Sequence, residues 1–259
     1  MNGARILTLG LSLAIFAGPL HAKCASPMAF VSPSPAVRLP PDPTLYLFVP
    51  RWFEVSGLVA ADDRDQPLPM DVEPADGTPS YRVFRLKVHT GASSSFVITS
   101  ANDDLLPHEY SVAPGWTAAS SKGLRLLEVE HERHRWTCSY QRTANLKVED
   151  RGPAAYRVEW SDSREEYLDG ARRSAVFPPA MDRFFLGWSG QEPGVDVIQL
   201  GHVDCLGLTL EFSDAPRYVG VVALYPDGTE TISPEEPRRL RISAPRWLES
   251  RRGQGSDGP

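Results

Sequence analysis

Two short phrases of the sequence combine histidine with carboxylate, the residue types that bind metals and move protons. The first is His131-Glu132-Arg133-His134. A zinc-protease helix carries its two histidines four residues apart with a glutamate beside the first, whereas these two are three apart. On a strand, positions three apart face opposite sides, although in a tight loop they could converge. We therefore expect a solvated loop, and a metal site that still needs a third ligand is the alternative.

The second phrase is Gly201-His202-Val203-Asp204-Cys205. On a strand, His202 and Asp204 share one face, so the carboxylate could orient the imidazole. Cys205 faces the other side, which disfavours a cysteine nucleophile beside this histidine. A structural hydrogen bond between His202 and Asp204 and a disulfide at Cys205 are the expected roles.

Other catalytic and metal-binding signatures are incomplete. Gly187-Trp188-Ser189-Gly190 departs from the nucleophile turn of serine hydrolases because Gln191 replaces the closing glycine. A P-loop, a dinucleotide-binding glycine pattern and a paired-cysteine metal knuckle are absent from the sequence. The acidic runs at 62–65 and 102–104 lack the spaced oxygen ligands of a calcium loop, so we interpret them as solvated turns. The sequence thus predicts no catalytic residue, no cofactor and no metal site.

The first 22 residues have the pattern of an export signal. Arg5 supplies the positive start, Ile6 to Ala17 the apolar run, and Leu20-His21-Ala22 an approximate cleavage site. The apolar run is too short to span a bilayer easily, with an uncleaved anchor as the alternative. Lys23 stands where a lipobox needs a small residue before Cys24, which disfavours lipidation. We therefore expect a secreted or periplasmic protein of the cell envelope that is not transmembrane after processing.

Export would place the three cysteines, Cys24, Cys138 and Cys205, where disulfides form. We expect a Cys138–Cys205 bond, because both cysteines lie in strand-like sequence of the C-terminal half, whereas Cys24 lies in a proline-rich leader. Closing this loop of about 67 residues would remove on the order of 4 kcal/mol of unfolded-state entropy. A bond from Cys24 to either of the others is the alternative.

Short apolar alternations separated by proline and turn residues predict an all-β chain. Its 24 prolines suit neither helix interiors nor central strands. A length of 259 residues suits two β-sandwich domains of about 100 residues each. The predicted organisation is a signal peptide at 1–22, a proline-rich leader at 23–43, a first sandwich at 44–113, a linker at 114–122, a second sandwich at 123–245 and a flexible tail at 246–259.

The first half contains the clearest strand alternation. From Tyr81 to Thr90, Phe84, Leu86 and Val88 share one face, and Arg85, Lys87 and His89 share the other. A serine–proline phrase precedes the alternating strand Thr44 to Val49. This opening resembles that of bacterial immunoglobulin-like modules of secreted proteins, and the matching residues are Ser32, Pro33, Pro40, Pro41, Thr44, Leu45, Leu47 and Val49.

The second half is organised around residues 195–228, two apolar runs separated by a polar turn. Residues 218–224 are apolar on both faces, which predicts a central strand, and Pro226-Asp227-Gly228 predicts a hairpin turn. Tyr156, Val158 and Trp160 alternate with charged residues. These features resemble a fibronectin type III or related immunoglobulin-like module. The stretch from Asp162 to Arg173, with Asp162 or Ser163 as cap, is either a short helix or an edge loop.

The net charge of −6 disfavours a general nucleic-acid binder. Because the sequence lacks a convergent catalytic set and has an all-β, proline-rich pattern, we expect a non-enzymatic envelope or extracellular protein of two tandem immunoglobulin-like modules that binds or supports an unknown protein or envelope component. A periplasmic copper, zinc or small-ligand carrier using His131, His134 or His202 is the alternative, and a hydrolase is third. Periplasmic copper carriers share the serine–proline opening but bind copper through an N-terminal histidine, which cleavage before Lys23 would remove here.

Overall fold

The computed structural model describes residues 29–77, 81–101, 105–116, 125–136, 139–149, 152–179, 195–201 and 217–240. Within these ranges the chain forms fifteen strands and one short helix, so the predicted all-β class is confirmed. In chain order the strands are β1 (Phe30–Ser32), β2 (Thr44–Pro50), β3 (Leu58–Asp62), β4 (Pro67–Leu68), β5 (Met70–Ala75), β6 (Tyr81–Val88), β7 (Ser95–Ser100), β8 (His108–Ser111), β9 (Arg125–Trp136), β10 (Ser139–Glu149), β11 (Ala155–Ser161), β12 (Arg173–Phe177), β13 (Val195–Gly201), β14 (Arg217–Leu224) and β15 (Glu230–Leu240).

The strands pair antiparallel in four sheets. Sheet 1 has the order β1-β2-β6-β5 and sheet 2 the order β4-β3-β7-β8. Sheet 3 has the order β12-β11-β14-β15 and sheet 4 the order β13-β10-β9. The division into two tandem immunoglobulin-like domains stays a prediction, because most of the expected linker lies outside the described residues.

Sheets 1 and 2 form a sandwich around one apolar core. β6 shows the predicted alternation, with Leu86 and Val88 buried towards this core and Arg85 exposed on the other face. β7 supplies Phe96 and Ile98 from the facing sheet. Burial of each such side chain contributes about 1.5–3 kcal/mol, so these alternate residues help to hold the two sheets together.

The second face of sheet 1 is also buried in part, and this joins it to sheet 3. All seven residues of β2 are buried, and alternate residues face two different cores. Leu45, Leu47 and Val49 belong to the core with sheet 2, whereas Tyr46 and Phe48 belong to the core with sheet 3. The second core comprises Tyr46, Phe48, Tyr81 and Val83 on one side and Ala154, Ala155, Val176, Val222 and Leu224 on the other.

Hydrogen bonds at three places reinforce this contact between sheets 1 and 3. The Ser32 hydroxyl donates to the Ala154 carbonyl at 2.7 Å. The Val176 amide donates to the Asp76 carbonyl at 2.8 Å, and the Ser174 hydroxyl donates to the Asp76 carboxylate. The Thr44 amide donates to the Pro226 carbonyl at 2.6 Å. The two β regions therefore share a wide interface with paired polar groups along its border.

The proline-rich leader contributes to the first sandwich, which the sequence analysis did not predict. Phe30–Ser32 forms β1 and extends sheet 1. Leu39 is fully buried and bridges Val112 in parallel, with its amide donating to the Ser111 carbonyl at 2.9 Å. Short apolar residues between prolines thus find partners that lie far away in the sequence.

The opening residues of the stretch from Asp162 to Arg173 form the short helix that was one of the two expectations. Helix α1 spans Arg164–Leu168, and the Ser163 side chain caps it by accepting from the Glu166 amide at 3.1 Å. Gly170 follows with a φ of 84°, a left-handed conformation that glycine adopts without strain. Tyr167 is buried and fixes the helix beside β11.

The turn at Pro226-Asp227-Gly228 is confirmed. The Gly228 amide donates to the Tyr225 carbonyl at 2.9 Å, and Gly228 has a φ of 84°. β14 lies between β11 and β15 in sheet 3, as expected for a central strand. No helix in the described ranges has the length and hydropathy needed to cross a membrane.

Candidate functional site

A charged cavity of about 250 Å³ lies at one end of the sheet 1 face that turns towards sheet 3. Successive cross-strand rows on this face change from charged to apolar. The rows, read across β2, β6 and β5, are Thr44–Lys87–Asp71, then Tyr46–Arg85–Glu73, then Phe48–Val83–Ala75. Thr44, Asp71, Glu73, Arg85 and Lys87 line the cavity.

The strand period explains why these side chains converge. In an antiparallel sheet, side chains directly opposite one another have Cβ atoms about 4.5–5.5 Å apart. Asp71 and Glu73 on β5 therefore face Lys87 and Arg85 on β6, and Thr44 on β2 flanks Lys87 from the other side. Two acidic and two basic side chains leave the cavity with balanced formal charge.

Three of these four charged side chains have partners of opposite sign or hydrogen-bonding partners. Arg85 donates to the Glu73 carboxylate. The His89 Nε2 atom lies 2.8 Å from the Asp71 Oδ2 atom, just outside the lined cavity. Both pairs are about half exposed, so each contributes at most about 1 kcal/mol to stability.

Lys87 and Thr44 differ from their neighbours. Neither the Lys87 ammonium nor the Thr44 hydroxyl has a hydrogen bond or ion pair with any residue in the part of the chain that the structure describes. Thr44 is only 5% exposed and Lys87 is half-buried. Buried polar groups normally have partners, so this pair is available to a bound molecule.

The hairpin between β14 and β15 lies beside Thr44. The Thr44 amide bonds to the Pro226 carbonyl, as described above. A Cβ added to Gly228 would lie 3.6 Å from the Thr44 hydroxyl oxygen, so the turn passes close to the cavity. Asp227 stabilises the turn by accepting from the Thr229 amide at 3.0 Å and from the Thr229 hydroxyl at 2.7 Å.

Tyr46 separates the charged rows from the apolar interface. Burial raises the pKa of Tyr46 to about 12, and the neighbouring charges of Arg85, Glu230 and Arg157 modify it less. The phenol therefore stays protonated across the physiological pH range and can donate a hydrogen bond. Glu230 and Arg157 belong to sheet 3, and the Thr44–Pro226 hydrogen bond holds the hairpin of sheet 3 beside the same end of sheet 1.

An ion-pair network on sheet 3 continues the charged surface. Arg157 binds Glu230 through two nitrogens at 3.0 and 2.8 Å and binds Glu159 at 2.9 Å. Arg172 donates to the second oxygen of Glu159 at 2.8 Å. The hydrogen bonds to Glu230 are the largest cause that raises the pKa of Arg157. Burial opposes this rise, and the hydrogen bond to Glu159 adds to it. The network holds its charges in paired positions.

The histidine phrase at 131–134 does not form the loop that was expected. β9 runs unbroken from Arg125 to Trp136, with His131 opposite Ala144 and His134 opposite Gln141 on β10. The expectation of a solvated loop was therefore wrong, because this phrase lies within a strand paired with β10. Three-residue spacing on a strand places the two positions on opposite faces.

Several residues that the sequence analysis considered lie outside the described residues. They are His202, Asp204, the serine at 189, the acidic run at 102–104 and all three cysteines, so the bond between Cys138 and Cys205 stays a prediction. Within the described ranges, no group of three or more His, Cys, Asp or Glu side chains converges. At 62–65 the Asp62 Oδ1 atom accepts from the Arg64 and Gln66 amides at 2.9 and 2.8 Å, which is the expected turn.

Sequence reasoning missed the cavity residues Thr44, Asp71, Glu73 and Lys87. A signal was present, since β5 carries acids at two-residue spacing and β6 carries bases at the same spacing. Using it required the pairing of β5 with β6 in this register and the second layer over the same face. Neither follows from strand periodicity alone.

Comparisons with known proteins leave the chain without an assigned family. No family model matches, and no curated protein matches. Among solved structures, a pullulanase from Anoxybacillus sp. LM18-11 complexed with maltotriose is similar at 7% identity, with a TM-score of 0.24 over 80% of this chain and 27% of that one. A second structure of that pullulanase is similar at 8% identity with a TM-score of 0.21 and the same coverage. This chain thus spans about a quarter of the pullulanase length, and similarity at this level carries no argument about fold or function.

Proposed function

We propose that this chain is an exported, non-enzymatic binding protein of the envelope or extracellular space, which takes a small charged ligand into the cavity beside Thr44 and Lys87. The observation that supports it is the unpartnered Thr44 hydroxyl of a buried residue, next to half-buried Lys87, whose ammonium also has no partner among the described residues. Such groups are normally satisfied in a folded protein, and a ligand oxygen would satisfy both at once.

The interface between sheets 1 and 3 supports the same function by holding the cavity in shape. The apolar core ends at Tyr46, and the Thr44–Pro226 hydrogen bond fixes the hairpin against the cavity. A preformed site binds more tightly than a flexible one, because less side-chain and loop freedom is lost on binding. The predicted signal peptide and the expected Cys138–Cys205 bond suit a protein that works outside the cytoplasm.

A ligand screen by thermal unfolding tests this function. The chain from residue 23 onwards would be screened with a panel of small acids, amines, zwitterions and phosphates, as wild type and as Lys87→Met. A ligand at one hundred times its Kd stabilises by about 2.7 kcal/mol, which raises Tm by roughly 5–10 °C for a chain of this size. We expect such a shift for the wild type and a much smaller one for Lys87→Met.

Lys147→Met is the matched control, since Lys147 lies on β10 in sheet 4. It should respond to the ligand as the wild type does. The proposal fails if no compound in the panel shifts Tm, or if the shift is the same in Lys87→Met and wild type. Cell fractionation and non-reducing peptide mapping would test export and the disulfide separately.

A further inference from the structure

We infer that the cavity binds a small zwitterion, whose carboxylate is held by Lys87 and Thr44 and whose ammonium is held by Asp71. This inference rests on the proposed function and names the ligand class. It goes further because a zwitterion needs an acidic side chain to bind its ammonium, whereas a simple anion does not.

The anionic end of the ligand is assigned by Thr44 and Lys87. A carboxylate accepts hydrogen bonds from both an ammonium and a hydroxyl, and charge-assisted bonds are about twice as strong as neutral ones. Thr44 is buried and Lys87 is half-buried, so burial limits the hydration of the Thr44 hydroxyl in the unliganded protein. Both groups gain a partner when one carboxylate lies between them.

The cationic end is assigned by the acidic side chains opposite. Asp71 lies directly across from Lys87, yet the two form no ion pair within 4.0 Å. Only the Asp71 Oδ2 atom contacts His89, which leaves Oδ1 to accept from a ligand ammonium. A ligand with both charges closes the gap between Asp71 and Lys87, and each end meets a side chain of opposite sign.

Charge balance disfavours a simple dianion in the same cavity. Phosphate would find Lys87 but would also lie beside the carboxylates of Asp71 and Glu73. At about 4 Å, an unfavourable charge pair costs roughly 4 kcal/mol at the effective dielectric constant of a protein surface. An ammonium on the ligand turns this repulsion into attraction.

The cavity volume suits a small ligand. A volume of about 250 Å³ equals the share of roughly eight water molecules and is below the range of about 300–1,000 Å³ typical of drug-sized ligands. A free amino acid fits this size, whereas an oligosaccharide or a protein segment could place only a small part of itself in the cavity.

Isothermal titration at neutral pH and low salt tests the ligand class. The probes are the twenty free L-amino acids, propionate, ethylamine and inorganic phosphate. Propionate and ethylamine each carry one of the two charges of alanine, so they serve as half-ligands. We expect at least one amino acid to bind, with at least tenfold higher affinity than propionate, ethylamine or phosphate.

Three near-isosteric variants separate the two ends of the ligand. Lys87→Met should lower the affinity for the best-binding amino acid about tenfold, and Thr44→Val should lower it several-fold. Each variant removes a donor to the ligand carboxylate. Asp71→Asn should weaken that amino acid about tenfold but leave propionate binding unchanged or tighter. Asp63→Asn, Thr99→Val and Lys147→Met are the controls and should keep Kd within twofold of wild type.

Each outcome decides a different question. Propionate or phosphate binding as tightly as every amino acid would overturn the zwitterion inference and leave the binding function standing. Suppose that all twenty amino acids fail and another compound of the larger panel binds through Lys87. This result would also overturn the zwitterion inference and leave the binding function standing. Failure of every probe would overturn the proposed function too. Circular dichroism of each variant would show that lost binding is not lost folding.

Discussion

The same face of sheet 1 carries two surfaces that behave differently. At one end, Phe48, Tyr81 and Val83 pack against apolar side chains of sheet 3, and the contact excludes water. At the other end, Arg85 and Lys87 stand at equivalent positions of the same strand and line a cavity. The strand geometry is the same at both ends, so the two ends differ in the side chains that they present.

The comparison also separates stability from binding. The apolar end gains free energy from burying aromatic area and has few groups left to satisfy. The charged end gains little from its exposed ion pairs and keeps two polar groups without partners in the described residues. Mutations at the apolar end should therefore change the free energy of unfolding, and those at the charged end should change ligand affinity.

The largest stability effect is expected for Phe48→Ala. Phe48 is fully buried and stacks on Phe30 with ring centroids 4.9 Å apart. Removing the ring should lower the free energy of unfolding by about 3–5 kcal/mol, measured by urea denaturation. Val59→Ala on the exposed face of β3 is the control and should cost less than about 1 kcal/mol. Equal losses in the two variants would contradict the buried core between sheets 1 and 3.

A smaller effect is expected for Asp42→Ala, at the turn that begins β2 beside the charged end. The Asp42 Oδ1 atom accepts from the Thr90 amide at 2.8 Å and from the Gly91 amide at 3.3 Å. Losing this acceptor leaves the Thr90 amide without its partner and should cost about 1–3 kcal/mol in chemical denaturation.

Asp42→Asn is the matched comparison for that turn. Asparagine keeps an acceptor oxygen and tolerates the left-handed φ of 48° at this position. Asp42→Asn should retain at least half of the stability that Asp42→Ala loses. If Asn and Ala variants unfold at the same urea concentration, the side-chain oxygen does not support the turn.

A pH-dependent effect is expected from His108, which connects β1 to sheet 2. The His108 Nδ1 atom donates to the Leu106 carbonyl at 2.5 Å, and the Val31 amide donates to Nε2 at 3.4 Å. Burial lowers the pKa of His108, and the bond to Leu106 opposes this in part. The folded protein therefore favours the neutral His108 ring. A second proton, on Nε2, would face the Val31 amide.

The sign of the pH effect follows from that lowered pKa. As pH falls below about 6.5, the unfolded chain takes up a proton before the folded chain does. The free energy of unfolding should therefore decrease from about pH 6.5 down through the lower folded-state pKa, and His108→Gln should remove this decrease. Urea titrations between pH 7.5 and 5 would measure it, with His89→Gln as the control that keeps the His108 contribution. An unchanged slope in His108→Gln would refute this role.

The smallest stability effect is expected for Lys87→Met. Lys87 has no ion pair with the described residues, so its replacement should change the free energy of unfolding by less than about 0.5 kcal/mol. Thermal unfolding without ligand would measure it against wild type. A loss above 2 kcal/mol would mean that Lys87 stabilises the fold, and the contrast between the two ends would then be lost.

Sequence patterns predicted the local structure well in three places. The alternation from Tyr81 to Thr90, the strand at Thr44 and the hairpin turn at Gly228 agree with the structure. Each depends on residues that are close in the sequence. β1 in the proline-rich leader was missed because only its pairing with β2, across intervening prolines, makes Phe30–Ser32 a strand.

Periodicity and turn chemistry were enough to determine an all-β chain, because alternate side chains of a strand face opposite ways and glycine accepts turns that other residues avoid. The tertiary structure decided that β2 is buried on both faces, that sheet 3 covers only part of sheet 1, and that Thr44 and Lys87 lie together without partners in the described chain. The cover of sheet 3 over sheet 1 depends on contacts between segments more than one hundred residues apart, such as Thr44 with Pro226. Local sequence rules carry no information about which distant segment will cover a given face.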